Sequence, residues 1–251
     1  MIYITGDCHA DFSKFYKRNF PAQADMTKDD TMIVCGDFGL WHNCKKERYR
    51  LNALNERSFT TVFVDGNHEN HDRLCSNEFE VVDFHGGKAH KIRDSIFHLI
   101  RGNVFDFEGK KFFVFGGASS HDIEDGILDR ANFKSDDDFY NAVYMWRKWG
   151  RRFRINHLSW WKEELPSDEE MTFGLKTLRE NDNNVDYIIT HCCPYQVAYA
   201  MGYKDGDSIT KYLSDISDSV RFSRWYFGHY HRECTTFGKY ICLYRNIERI
   251  M

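Results

Sequence analysis

Five short blocks of aspartate, asparagine, histidine and glycine stand in order along the chain: Gly6-Asp7-Cys8-His9, Gly36-Asp37, Gly66-Asn67-His68-Glu69, Thr190-His191 and Gly228-His229-Tyr230-His231. Their carboxylates, imidazoles and carboxamide form a mixed donor set. Such a set suits first-row divalent ions better than calcium, which prefers an all-oxygen shell. Asp7 with His9, and His229 with His231, are i, i+2 pairs. On extended backbone both members of a pair point to one side, with Cys8 and Tyr230 turned away, so each pair can grip one ion. One Gly-Asp or Gly-His dipeptide is ordinary turn chemistry. Five in register with candidate strands call for a common site.

Each block follows an apolar run that reads as a buried strand: Ile2–Thr5, Met32–Cys35, Thr61–Val64, Tyr187–Ile189 and Trp225–Phe227. Loops at the carboxyl ends of strands gather on one sheet edge, where residues distant in sequence converge. Gly6, Gly36, Gly66 and Gly228 each precede a candidate ligand, where the chain must leave the sheet abruptly and can require backbone angles closed to other residues.

In this order the blocks resemble the calcineurin-like metallophosphoesterase superfamily, whose pattern is GDxH, GD, GNH(D/E), a lone His and GHxH. The resemblance runs from Gly6 to His231. It implies an α/β fold, a four-layer α/β/β/α sandwich of two mixed sheets flanked by helices, with a dinuclear centre on one edge. By that analogy Asp7, His9 and His231 hold one ion, Asn67, His191 and His229 hold the other, Asp37 bridges them and His68 faces the substrate. Two divalent ions are expected, manganese first, with iron, zinc, cobalt or nickel open. With Asp7, Asp37 and a bridging hydroxide, such a centre keeps roughly one net positive charge and favours an anion such as a phosphate ester. His68 is then the candidate to protonate the leaving oxygen, with Asp37 the second catalytic residue.

Departures from the pattern bear on the substrate. In Ser/Thr protein phosphatases the second block extends to GDxVDRG, whereas here Gly36-Asp37-Phe38-Gly39-Leu40-Trp41 puts Leu40 and Trp41 where an aspartate and a phosphate-gripping arginine would stand. A doubly charged terminal phosphate loses its natural clamp. A phosphodiester of nucleotide type is therefore the first expectation. The alternatives are a phosphomonoesterase, for small molecules or proteins, and a non-catalytic binding module on the same fold. The sequence names no residue to orient His68.

The 251 residues, 42% of them hydrophobic, suffice for one large domain, 1–251, with a cap or insertion around 118–166. A net charge of −4 supplies no global basic field for nucleic acid. The eight cysteines contain no CxxC pair and read as free thiols, Cys8 and Cys192 as filler beside the site. No signal peptide or membrane anchor is read at the start, which implies a cytoplasmic protein; charges of both signs are interspersed and mark no clear interface, so a monomer or weak dimer is expected. Several short strands between Val81 and Gly117 read as the second sheet. The polar loop Gly116–Asp122 follows, and then a run from Asp136 to Trp161 dense in tyrosine, tryptophan and arginine. That run reads mainly as an amphipathic helix with its aromatic stripe on the core and its arginines solvated. His121, Arg151 and Arg152 are kept as candidate substrate contacts, since arginine clamps phosphate and aromatics stack on bases. Ser167 and Glu170 have the spacing of a capping box opening a helix to about Glu180. Lys204–Tyr212 reads as a flexible loop feeding a helix that ends near Asp218.

Overall fold

A computed structural model describes residues 1–251. In chain order the strands are β1 (Ile2–Thr5), β2 (Thr31–Val34), β3 (Thr60–Phe63), β4 (Glu80–Phe84), β5 (Gly87–Arg93), β6 (Ile96–Leu99), β7 (Val104–Phe107), β8 (Lys110–Phe115), β9 (Gly126–Leu128), β10 (Phe153–Ile155), β11 (Tyr187–Thr190), β12 (Arg224–Phe227), β13 (Cys234–Thr236), β14 (Tyr240–Cys242) and β15 (Ile247–Arg249). The helices are α1 (Lys45–Asn55), α2 (His71–Leu74), α3 (Asp136–Lys148), α4 (Asp168–Glu180), α5 (Tyr195–Ala200) and α6 (Ser208–Ser219).

The strands build two mixed sheets. One has the order β15-β1-β2-β3-β6-β5-β4, the other β13-β14-β12-β11-β8-β7. In each, the central four strands run parallel and antiparallel strands close the edges. The layering follows from the period-2 alternation of strand side chains. In β1, β2 and β3 the residues Ile2, Ile4, Ile33 and Val62 face the second sheet and pack with Phe112, Val114 and Ile189. Tyr3, Met32, Val34 and Phe63 face the other way, with Leu51 and Leu54 of α1. Phe113 and Phe115 face Leu178, Ile209, Leu213 and Ile216 of α4 and α6. Three apolar interfaces thus hold four layers, α/β/β/α, and both sheets are covered on both faces, as parallel strands require. No helix is long and apolar enough to cross a membrane.

The run from Val81 to Gly117 does not form one sheet. β4, β5 and β6 complete the first sheet, and the chain crosses to the second only at β7 and β8. Several short strands are present there as expected, but pairing partners are set by which apolar faces meet. The capping box is present as expected: Ser167 Oγ accepts from Glu170 N at 3.2 Å and Glu170 Oε2 from Ser167 N at 2.8 Å. α6 starts inside the expected loop, because Asp207 caps it with Thr210 as its partner.

Residues 126–155 carry their own small core. β9 pairs with β10 in a two-stranded sheet, and Leu128, Ile155, Phe139 and Val143 pack with Phe133, Trp146 and Phe153. The aromatic stripe expected on the main core is therefore divided. Phe139 is buried in this small core, while Tyr140, Tyr144 and Trp149 are exposed.

Candidate dinuclear metal centre

The five blocks meet at the carboxyl edge of both sheets, locked together by backbone hydrogen bonds. Cys8 N and His9 N donate to Asp37 O at 3.0 and 2.7 Å, and Gly228 N donates to His191 O at 2.9 Å. The carboxylates tie the blocks further. Asp7 Oδ1 accepts from His229 N at 2.9 Å, and Asp37 Oδ1 from His68 N at 2.9 Å. Each aspartate so keeps one oxygen for the centre. Asp37 Oδ2 lies 3.4 Å from His191 Nε2, 3.8 Å from His9 Nε2 and 4.0 Å from His68 Nε2, and Asp7 Oδ2 lies 3.1 Å from His231 Nε2.

The local backbone departs from the extended geometry that the i, i+2 spacing invites. His9, Asp37, His229 and His231 have φ of 46°, 45°, 68° and 50°. These are left-handed conformations, sparsely allowed for residues with a Cβ. Pairs of ligands do converge, but through tight turns whose strain is held by the interblock hydrogen bonds. The glycines also act differently from expectation. Only Gly36 among the four has positive φ, at +89°; a Cβ on Gly66 would overlap Asp37 Oδ1, and one on Gly228 would overlap Asp7 Oδ1. Close approach of a carboxylate, rather than a forbidden angle, demands glycine there.

The donor set fits divalent cations. Asp7 Oδ2 is buried, and its near neighbour His231 Nε2, at 3.1 Å, lies outside hydrogen-bonding geometry; a cation between the two would satisfy both. His191 donates Nδ1–H to Cys35 O at 2.7 Å, which leaves Nε2 as the nitrogen that faces Asp37 and, at 3.3 Å, Asn67 Oδ1, and that would exchange its proton for a metal. Such an outer hydrogen bond fixes the tautomer a metal ligand needs. Asn67 is oriented in turn: its Nδ2 donates to Ser120 Oγ at 3.3 Å, and Ser120 Oγ donates to Glu164 Oε2 at 2.7 Å. Three groups of donors lie close enough to share an ion: Asp7, His9 and His231; His9, Asp37 and His68; and Asp7, Asp37 and His191. The His9 and His231 Nε2 atoms are 3.0 Å apart. His229 Nε2 faces His121 Nε2 at 2.6 Å.

The electrostatics match a site built for cations. Burial opposes a charge on His191, yet Asp37 and Asp7 raise its pKa to about 10. Burial also opposes ionisation of Asp37, but His191, His68 and His9 hold it well below the ordinary range. Behind it Glu69, pushed up to about 8 by burial and by Asp37, accepts from Gly39 N at 2.8 Å and from Gly66 N.

Among the candidate substrate contacts, His121 is brought to the cluster. Arg152 reaches only its loop, donating to His121 O at 3.1 Å and pairing with Glu124. Arg151 lies over Trp146 and Trp149 at 4.7 and 5.3 Å and does not reach the cluster. The arginine that does is Arg154, whose Nη1 and Nη2 lie 3.0 and 3.2 Å from His68 Nδ1 and Nε2. No motif in the sequence singles it out. The available signal was its strand: from Phe153 to Ile155 the side chains alternate, and Arg154 is turned from the small core that holds its two neighbours.

Two cavities open on the cluster. One of about 680 Å³ is lined by Asp7, His9, Asn19, Phe20, Tyr244 and Arg245, and one of about 130 Å³ by His121, His229, Tyr203 and Asp207. Tyr244 stacks on His231 with centroids 4.4 Å apart. Lys14 beneath the larger cavity is not available to a ligand, since it already donates to Thr5 Oγ1 and to the carbonyls of Gly6, Asp7 and Tyr244. A cavity of about 710 Å³ between His98, Arg101 and the start of α4 contains none of the cluster residues. All eight cysteines are free thiols.

The family model for calcineurin-like phosphoesterase matches residues 1–233. No curated protein is similar enough to this chain to match it.

Proposed function

Because this chain belongs to the calcineurin-like phosphoesterase family, and is thereby a metal-dependent hydrolase of phosphate esters, we propose that its substrate is a phosphodiester of nucleotide type. The observation that carries the choice is the pair of cavities on the cluster, one against Asp7 and His9 and one against His121 and His229. A diester has two organic groups to place, and Tyr244 offers an aromatic face to one of them. Arg154 does not restore a free clamp for a dianionic phosphate. Its charge is already matched by Asp122, which accepts from Nε at 2.6 Å and from Nη2 at 3.0 Å.

In this reading Asp7, His9 and His231 hold one ion, Asn67, His191 and His229 the other, and Asp37 is shared. Two divalent ions, manganese first, supply Lewis acidity toward a phosphoryl oxygen and an activated water when bound. The chain's own groups do the rest. His191 and Asn67 are held rigid by Cys35 and Ser120, and His68 donates Nε2–H to the departing oxygen. Residues 118–166 form the cap of a single domain, and the protein acts as a cytoplasmic monomer or weak dimer.

The test is the initial rate on a chromogenic phosphodiester beside its monoester analogue, with Mn²⁺ restored to metal-stripped protein. A faster diester supports the proposal; a faster monoester replaces it with a phosphatase.

A further inference from the structure

We propose that Arg154 is a positioning residue for His68: it donates to Nδ1 and thereby keeps the ring proton on Nε2, the nitrogen that faces the metal centre. This rests on the phosphoesterase reading above and supplies the orienting group that the second block lacks.

The guanidinium is fixed before it meets the imidazole. Arg154 is 12% exposed in its side chain; Nε and Nη2 form a fork with Asp122 at 2.6 and 3.0 Å, and Nη1 donates to Ser159 O at 2.9 Å. Its other close neighbour is His68, 3.0 Å from Nη1 to Nδ1 and 3.2 Å from Nη2 to Nε2. A guanidinium has only donors, and a neutral imidazole has one acceptor nitrogen. Only one of these two contacts can be a hydrogen bond. Each terminal nitrogen has one other acceptor, Ser159 O for Nη1 and Asp122 for Nη2, so distance and the far side of the ring decide: the Nη1–Nδ1 contact is the shorter, and His68 Nε2 is the atom that approaches Asp37 Oδ2, at 4.0 Å. Nδ1 is therefore the acceptor, and Nε2 carries the hydrogen into the site.

The arrangement also ties the cap to the chemistry. Arg154 lies on β10, between Phe153 and Ile155, which pack in the small core with α3. Asp122 sits in the polar loop after β8. The ring of His68 is thus aligned by a segment that lies between the third and fourth blocks and packs around its own small core.

Two readouts test this on protein loaded with Zn²⁺, which is diamagnetic, using Arg154→Ala, Arg154→Gln and, should the alanine variant not fold, Asp122→Asn. ¹⁵N shifts of His68 should report the Nε2–H form in the parent, a tautomer mixture in Arg154→Ala, and a return toward Nε2–H in Arg154→Gln, whose carboxamide can still donate. In kinetics, Arg154→Ala should lose about 10- to 100-fold in kcat on esters of poor leaving groups and far less on p-nitrophenyl esters, with KM held within about twofold. The same tautomer in all variants would overturn the proposal. So would a loss equal across leaving groups, or a rise in KM with kcat kept, which would mark Arg154 as a direct phosphate contact. If the parent hydrolyses no ester, the reading under Proposed function falls, while the ¹⁵N shifts still decide the positioning.

Discussion

Replacing Arg101 with methionine should destabilise the protein by about 3–5 kcal/mol at neutral pH, the cost of stranding one partner of a buried ion pair. Asp65, the residue before Gly66-Asn67-His68, is 2% exposed in its side chain and Arg101 5%. Arg101 donates Nε and Nη2 to Asp65 Oδ2, the former at 3.0 Å, and reaches Glu170 Oε2 at 3.2 Å and Glu163 O at 2.8 Å. Two charge-assisted bonds to one buried carboxylate, at about 1.5–3 kcal/mol each, agree with that range. With Arg101 gone, His98 at 3.1 Å is the remaining side-chain partner of Asp65. The pH dependence follows in sign. Burial alone would raise the Asp65 pKa, but Arg101 and His98 overcome it and hold the carboxyl well below its ordinary value. The parent pair therefore contributes its stability above the unfolded value near 3.9 and loses it as pH falls through the folded value. In the variant burial acts with less opposition and the folded pKa rises, so protonation relieves the buried charge. The deficit should be full at pH 7 and shrink as pH approaches about 4. The assay is urea unfolding in EDTA, which separates metal linkage from the ion pair; the corresponding fall in Tm is roughly 6–20 °C. A loss under about 1 kcal/mol, the range of exposed pairs, or a deficit unchanged between pH 7 and 4, would refute the reasoning.

Other outcomes can be checked directly. His68→Ala should keep its metal content and lose about 10²–10⁴-fold in kcat; equal loss of metal by elemental analysis would count against its role. Metal binding at pH 8 should release about one proton from His191, because the pair of aspartates holds its pKa near 10 in the metal-free protein. Calorimetry in buffers of different ionisation enthalpy measures that number, and a value of zero would mean that His191 is not displaced from Asp37. Gly66→Ala should abolish metal retention, since the added Cβ overlaps Asp37 Oδ1 and crowds His191 Nε2, while Gly86→Ala, a glycine of positive φ with nothing near its Cβ, should cost only backbone strain of about 1–2 kcal/mol.

The order of strands and blocks could be read from sequence because it rests on local regularities. β1 is legible to the residue, since Ile2-Tyr3-Ile4-Thr5 is a short run that is buried throughout and ends at a glycine, and α4 is legible from Ser167 and Glu170, a cap that needs only three residues of spacing. The donor types were equally legible, because an aspartate or histidine carries its chemistry wherever it stands. What only the tertiary structure decided is who meets whom. The assignment of β4, β5 and β6 to the first sheet depends on which apolar faces close together, and the left-handed turns at His9, Asp37, His229 and His231 exist because hydrogen bonds from distant blocks hold them. The Arg154 contact with His68 spans 86 positions; strand alternation turns Arg154 away from its small core, but no spacing names His68 as its partner. Such contacts are sums of packing over the whole chain, so they emerge only once two sheets and a small third core have fixed the distances between them.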